Sequence, residues 1–164
     1  IAMTEKSLGV RFDSIVTAAG SGGTSAGLEI GRRLHGLNAS VHTVNVCDDE
    51  DYFRNTIHTL ALKTIQKYGI PLDIRAEDIS ILDGHAGEGY ALSTDGELDF
   101  IENFARREGI VLDPVYTGKA FRGMLKELEE GRLANAKEIL FIHTGGIYGL
   151  FPRAGRMYPG GGDK

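Results

Sequence analysis

Apolar positions along the chain come in runs of two periods. Ser14–Ala19 (S-I-V-T-A-A) is small or apolar throughout, stops at Gly20, and predicts a strand buried on both faces. From Thr24 the period lengthens: Leu28, Ile30 and Leu34 recur among Glu29, Arg32 and Arg33, predicting a helix that stops at Gly36. Ser40–Cys47 alternates through Val41, Val44 and Val46 and predicts a second strand. The acidic residues Asp48–Asp51 suit a helix N-terminus, and Phe53, Ile57, Leu60, Ala61 and Ile65 carry that helix to Gly69-Ile70-Pro71. Ile79–Leu82 predicts a short strand, and Gly84–Tyr90 (G-H-A-G-E-G-Y) a loop. Leu98, Ile101, Phe104 and Ala105 mark a helix ending at Gly109; Phe121, Met124, Leu125 and Leu128 mark another ending at Gly131. Ile139–Ile142 is the last predicted strand, running into His143-Thr144-Gly145-Gly146.

Strands alternating with helices predict an α/β fold, a parallel β-sheet flanked by helices in three layers. Ligands of such sheets collect at the carboxyl ends of the strands. Glycine loops follow the first and last predicted strands, which puts a candidate site at that rim. The 164 residues suit one domain with a real core, and 41% hydrophobic with 25% charged residues is the balance of a globular chain. With 18 Lys plus Arg against 23 Asp plus Glu, the net charge is −5, so no basic face for nucleic acid is expected. No run approaches the ~18 apolar residues of a membrane helix, and no membrane partner is expected. The single cysteine, Cys47, excludes an internal disulfide and fits a reducing compartment; a cytoplasmic location is the expectation. The histidines lack zinc-site spacing, so no metal is expected.

Three stretches carry candidate chemistry. Gly20-Ser21-Gly22-Gly23-Thr24-Ser25-Ala26-Gly27 joins a strand to a helix and holds four glycines and three hydroxyls. Its main-chain N–H groups, with the positive end of the helix dipole, suit a phosphate monoester. It is neither a Walker loop nor a G-x-G-x-x-G fingerprint, although Asp48 and Asp49 mimic the ribose-binding acid of a nucleotide-dependent oxidoreductase. Asp113-Pro114-Val115-Tyr116-Thr117-Gly118-Lys119-Ala120 displays Tyr116 and Thr117 on a loop before a helix, with Pro114 biasing Asp113 to an extended conformation. Lys119, in the first turn of that helix, reads as solvated or as a partner of carbonyl groups rather than as a Schiff-base amine. In His143-Thr144-Gly145-Gly146, a hydroxyl at a strand end can bond a ring nitrogen, and the glycines let a flat ring approach. His143 reads as structural and Cys47 as inert.

In this order the three stretches resemble the D-cysteine desulfhydrase and 1-aminocyclopropane-1-carboxylate deaminase group of pyridoxal-phosphate enzymes, of the tryptophan-synthase-β-like fold. The resemblance runs from about Phe12 to Phe151. It implies pyridoxal 5'-phosphate as cofactor, with Gly20, Ser21, Gly22, Gly23 and Thr24 holding its phosphate and Thr144 on its pyridine nitrogen. A hydroxyl there leaves that nitrogen largely unprotonated and tempers the electron sink, which suits β-elimination. Tyr116 is implied as an acid/base group near the substrate, and Thr117 as a substrate-near residue. The deaminase branch looks like D-P-V-Y-E-G-K with H-L-G-G, so Thr117 and Thr144 point to the desulfhydrase branch. Its reaction turns D-cysteine into pyruvate, hydrogen sulfide and ammonia; 1-aminocyclopropane-1-carboxylate deamination is the alternative.

Family members are much longer, and the chain looks like only their C-terminal half. The expected organisation is residues 1–11 as the tail of a preceding helix, 12–152 as a portion of the large, cofactor-binding domain, and 153–164 as a flexible tail. Lys63, Lys67 and Lys119 do not match the family's Schiff-base lysine, which belongs to the N-terminal half. The chain alone is therefore expected not to turn over substrate. The expected partners are a small amino-acid substrate, the missing N-terminal half and, as in relatives, a second copy in a homodimer. A reading of another class is a non-catalytic module that binds a phosphorylated ligand; Tyr116 and Thr144 speak against it, because gripping phosphate needs neither.

Overall fold

A strand without a polar face needs cover on both sides, and β1 (Ser14–Ala19) is buried at all six positions. The computed structural model of the chain describes residues 1–157; of the tail expected over 153–164, residues 158–164 lie outside the described residues. β1, β2 (Ser40–Asn45), β3 (Ser80–Leu82) and β4 (Ile139–Ile142) form one parallel sheet in the order β3-β2-β1-β4. Ser14 pairs with Ser40 on one side and with Ile139 on the other, and His42 pairs with Ser80. The chain winds outward from β1 to β2 to β3 and returns to lay β4 on the far side of β1. The order reverses at β1/β4, and the crevice beyond the carboxyl ends of those two strands is where such sheets hold ligands.

Helices cover both faces, giving the three layers predicted. On one face, α2 (Gly23–Leu34) and α3 (Glu50–Tyr68) bring Ala26, Ile30, Phe53, Ile57 and Ala61 against Ala19 and Ile81. On the other, α5 (Thr117–Glu130) brings Ala120 and Met124 against Val16, Ala18, Val44 and Leu82. α4 (Asp95–Glu108) packs outside α5, where Phe100, Phe104, Phe121 and Phe141 form an aromatic cluster. The start of α3 is capped by Asp49, whose carboxylate accepts from Tyr52 N at 2.8 Å, and Gly69 ends it at φ 60°.

β2 stops at Asn45, two residues short of the predicted end. Val46 N still donates to Ala19 O, but Asp48 then turns at φ 47° and the Asn45 amide holds Asp48 O at 2.8 Å. A turn pinned to the strand end overrides the alternating valines. At the N-terminus, α1 (Ala2–Leu8) is a short helix with no buried residue. Ile147–Arg153 form 3-10 turns and Ala154–Met157 a short helix, α6; the Arg156 guanidinium bonds Asp95 and Asp99 of α4. No helix among the described residues is long and apolar enough to cross a membrane.

Candidate functional site

At the β1/β4 crevice the structure encloses a cavity of about 290 Å³, lined by Ala18, Gly20, Ser21, Gly22, Gly23, Thr24, Tyr116, Thr144, Gly145 and Gly146. Residues nearly 130 positions apart meet there because parallel pairing aligns the carboxyl ends of β1 and β4. Two larger hollows exist, an apolar groove of about 530 Å³ between α4 and α5 and a polar one of about 390 Å³ beside Lys119. Neither lies at the strand-order reversal.

The wall made by the β1–α2 turn is main chain. Gly22 caps α2 at φ 78°, with no side chain capping the helix start, so the first N–H groups of α2 are left to a ligand. The Gly22 conformation and its packing both demand glycine: a Cβ there would stand 2.9 Å from Ile57 Cγ1. Ser21 and Thr24 add hydroxyls to the lining, and none of its described residues is charged. Ser25 does not join them; it is fully buried and its hydroxyl has no partner among the described residues.

Tyr116 forms the facing wall. A Cβ on Gly20 would come within 2.6 Å of Tyr116 Cε1, so the ring lies directly on the bare glycine. Its hydroxyl makes a short hydrogen bond to that of Tyr90, the rings meeting edge-on at 5.8 Å. The bond to Tyr90, with burial second, pushes the Tyr116 phenol up to about 12. Tyr116 therefore keeps its proton at neutral pH. Tyr90 was visible in the sequence only as the last residue of a glycine loop.

Asp113 builds the Tyr116 loop. One carboxylate oxygen accepts from Val115 N at 2.8 Å and Tyr116 N at 2.7 Å; the other accepts from Thr117 N at 2.8 Å and Thr117 Oγ1 at 2.6 Å. Asp113 N in turn donates to Thr117 Oγ1 at 2.9 Å. Thr117, expected near the substrate, is fully buried and outside the cavity lining, and its hydroxyl belongs to Asp113. The sequence signal was an Asp ahead of a Pro turn with Thr four residues on, a pattern for side-chain capping of a helix start. Asp113 also touches the β4 side, where a Cβ on Gly146 would stand 2.6 Å from its Cγ.

Other singled-out residues fall outside the cavity. His143 Nε2 bonds Val111 O at 2.8 Å and its Nδ1 accepts from Gly145 N at 3.1 Å, so the ring shapes the glycine turn. Cys47 has its thiol pushed up to about 11 by burial and by neighbouring Asp48. Lys119 is 2% exposed, so it is not solvated; it is a partner of carbonyl groups. Lys63 and Lys67 lie exposed on α3.

A family profile described as "Pyridoxal-phosphate dependent enzyme" matches residues 2–145, nearly the whole described chain. The chain belongs to the pyridoxal-phosphate dependent enzyme family. A relative from Arabidopsis thaliana, "Bifunctional D-cysteine desulfhydrase/1-aminocyclopropane-1-carboxylate deaminase, mitochondrial", is 40% identical over 90% of the chain and 36% of its own length. A "Putative 1-aminocyclopropane-1-carboxylate deaminase" of Thermotoga maritima is 40% identical over 89% of the chain and 45% of its own length. A solved structure of an "ACC deaminase homologue" superposes with a TM-score of 0.78 at 35% identity, over 92% of the chain and 44% of that protein. The chain thus spans less than half the length of these relatives.

The donor set of the cavity fits the cofactor of the pyridoxal-phosphate family. An uncapped helix start with two hydroxyls suits its phosphate, and a hydroxyl at Thr144 suits a ring nitrogen. Gly145, at φ 94°, has open space where a side chain would stand, which suits the approach of a flat ring. A volume of about 290 Å³ stands at the small end of ligand sites.

Proposed function

We propose that this chain is the phosphate-holding portion of a lyase that uses pyridoxal 5'-phosphate to cleave small amino acids, D-cysteine foremost. The observation that carries the reading is the convergence of the Gly20–Thr24 turn, Tyr116 and Thr144 on one cavity. A bare phosphate grip would use the first and have no need of the other two.

In this reading the N–H groups of Gly23 and Thr24, with the Ser21 and Thr24 hydroxyls, hold the phosphate, and the α2 dipole offsets its charge. Thr144 orients the ring by bonding its nitrogen. Pyridoxal phosphate supplies an electron-withdrawing ring that draws in the electrons of a broken bond at the substrate's α-carbon. Tyr116, kept protonated by Tyr90, serves as the acid beside the substrate, donating its proton to the departing group and recovering one afterwards. Gly20 keeps its ring against the cavity. The balanced reaction is D-cysteine plus water to pyruvate, hydrogen sulfide and ammonia.

Among the described residues no lysine lines the cavity, so the amine that links to the cofactor's aldehyde would come from a further portion of a longer protein, which in this reading pairs with a second copy as a homodimer. D-Cysteine is favoured over 1-aminocyclopropane-1-carboxylate by Thr144, which faces the cavity. Thr117 bears on substrate choice only by setting the Tyr116 loop. The test is turnover by the full-length protein loaded with pyridoxal phosphate, scoring sulfide and pyruvate from D-cysteine against 2-oxobutyrate from 1-aminocyclopropane-1-carboxylate. A clear excess of sulfide is expected. An excess of 2-oxobutyrate would reverse the substrate assignment, and absence of any borohydride-reducible visible band would leave only a phosphate-binding module.

A further inference from the structure

Lys119 is a buried cation that the proposed chemistry does not use. It sits on α5, three residues beyond Tyr116, so both side chains leave the same side of the helix start. Its ammonium donates to Ala86 O at 2.5 Å and to Gly89 O at 2.6 Å. Among the described residues no carboxylate lies within ion-pairing distance of it. An ammonium taken out of water without a paired charge is costly, and burial here pulls its pKa down against the pull of Glu97, Cys47 and Glu88. A lysine that only filled space would be better replaced by an apolar side chain.

The two carbonyls belong to the loop that carries Tyr90. Between Asp83 and Ser93 that loop has no sheet partner, and Gly84, Gly87, Gly89 and Ala91 all take positive φ, Ala91 at 58°. Its far end is held by Ser93 Oγ, which donates to Pro114 O at 3.1 Å, and by the Thr94–Glu97 capping box. Its apex turns two carbonyls toward the Lys119 ammonium, and Tyr90 follows one residue later.

Resting on the reading of Tyr116 above, we propose that Lys119 is a positioning residue, an internal cation that folds the Ala86–Gly89 apex so that the Tyr90 hydroxyl stands on that of Tyr116. One helix turn would then carry both the acid and the charge that places its partner. Such an arrangement makes the tyrosine pair depend on a cation that touches neither cofactor nor substrate.

The test compares the wild-type protein with Lys119→Met and Lys119→Ala in two readouts that need neither cofactor nor turnover. The first is the downfield hydroxyl proton of the Tyr90–Tyr116 bond by NMR, assigned by its loss in Tyr90→Phe. The second is hydrogen exchange of amides 84–92. In Lys119→Met the hydroxyl resonance is expected to vanish and the loop amides to exchange at least about tenfold faster, with α2 and α3 unchanged. Ammonium or methylamine added to Lys119→Ala is expected to restore both signals.

A folded Lys119→Met protein with the resonance and loop protection intact overturns the proposal. So does failure of both variants to fold even with ammonium present, which would make Lys119 a general stability residue. Pyridoxal phosphate affinity is measured alongside. Its absence in the wild type would defeat the reading of the cavity while leaving the loop experiment decisive for Lys119.

Discussion

At the scale of single residues, the site is organised by what is missing from glycines. Gly20 is an ordinary-looking first residue of a turn, yet its bare Cα is the surface on which Tyr116 rests, with only 2.6 Å for an added carbon. Gly20→Ala must push the ring off or shift the turn, an overpacking cost of about 1–3 kcal/mol. We expect a lower denaturation midpoint together with weakened pyridoxal phosphate binding, read by fluorescence titration. Unchanged affinity in a destabilised variant would separate the ring contact from cofactor binding. In sequence this glycine was legible as part of a loop; its contact with a tyrosine 96 positions later was not, because only tertiary packing makes that neighbour.

At the scale of elements, the start of α5 is held by one carboxylate. Asp113 is 1% exposed and satisfies three main-chain N–H groups and the Thr117 hydroxyl, while Gly146 of the β4 turn lies against it. Asp113→Ala leaves buried donors without acceptors, and a loss of about 3 kcal/mol or more is expected by urea unfolding. Asp113→Asn keeps the shape and one acceptor oxygen, and should fall between the two. Equal stability of all three proteins would show that the loop is set by Pro114 and Gly118 instead. The D-P-V-Y-T-G-K-A stretch told of a loop and a helix start, since Pro and Gly punctuate locally. Which of Tyr116 and Thr117 faces the cavity depended on a capping geometry, and Thr117 went to the carboxylate.

For the whole molecule, the sheet edge away from the cavity carries a pH dependence. His42 on β2 bonds Ser80 Oγ of β3 at 3.0 Å, and burial pushes its imidazole below the ordinary 6.5, against the opposing pull of Glu29, Asp13 and Glu127. A depressed folded value means the unfolded chain takes up the proton first as pH falls. Stability from this group is therefore complete above about 6.5 and is lost as the pH drops through the lower folded value. Denaturation midpoints measured from pH 7.5 down to about 5 should decline, and His42→Gln should flatten that slope. A slope unaltered by the substitution would assign it to other groups.

The sequence by itself determined the layers and the rim. Short apolar runs bounded by glycines favour strands within a covered sheet, helical stripes favour packing against them, and glycine turns after β1 and β4 put the cavity at the carboxyl edge. Those are consequences of local period and local sterics, which neighbours in the chain encode. The tertiary structure alone decided the strand order that brings Gly20 beside Gly145. It also decided the Tyr90–Tyr116 pair, the burial of Thr117 and the carbonyl partners of Lys119. The tyrosine pair and the Lys119 bonds join segments far apart in sequence and are fixed by how the layers stack. Thr117, by contrast, is turned inward by Asp113 four residues before it, a local bond whose geometry only the folded loop sets.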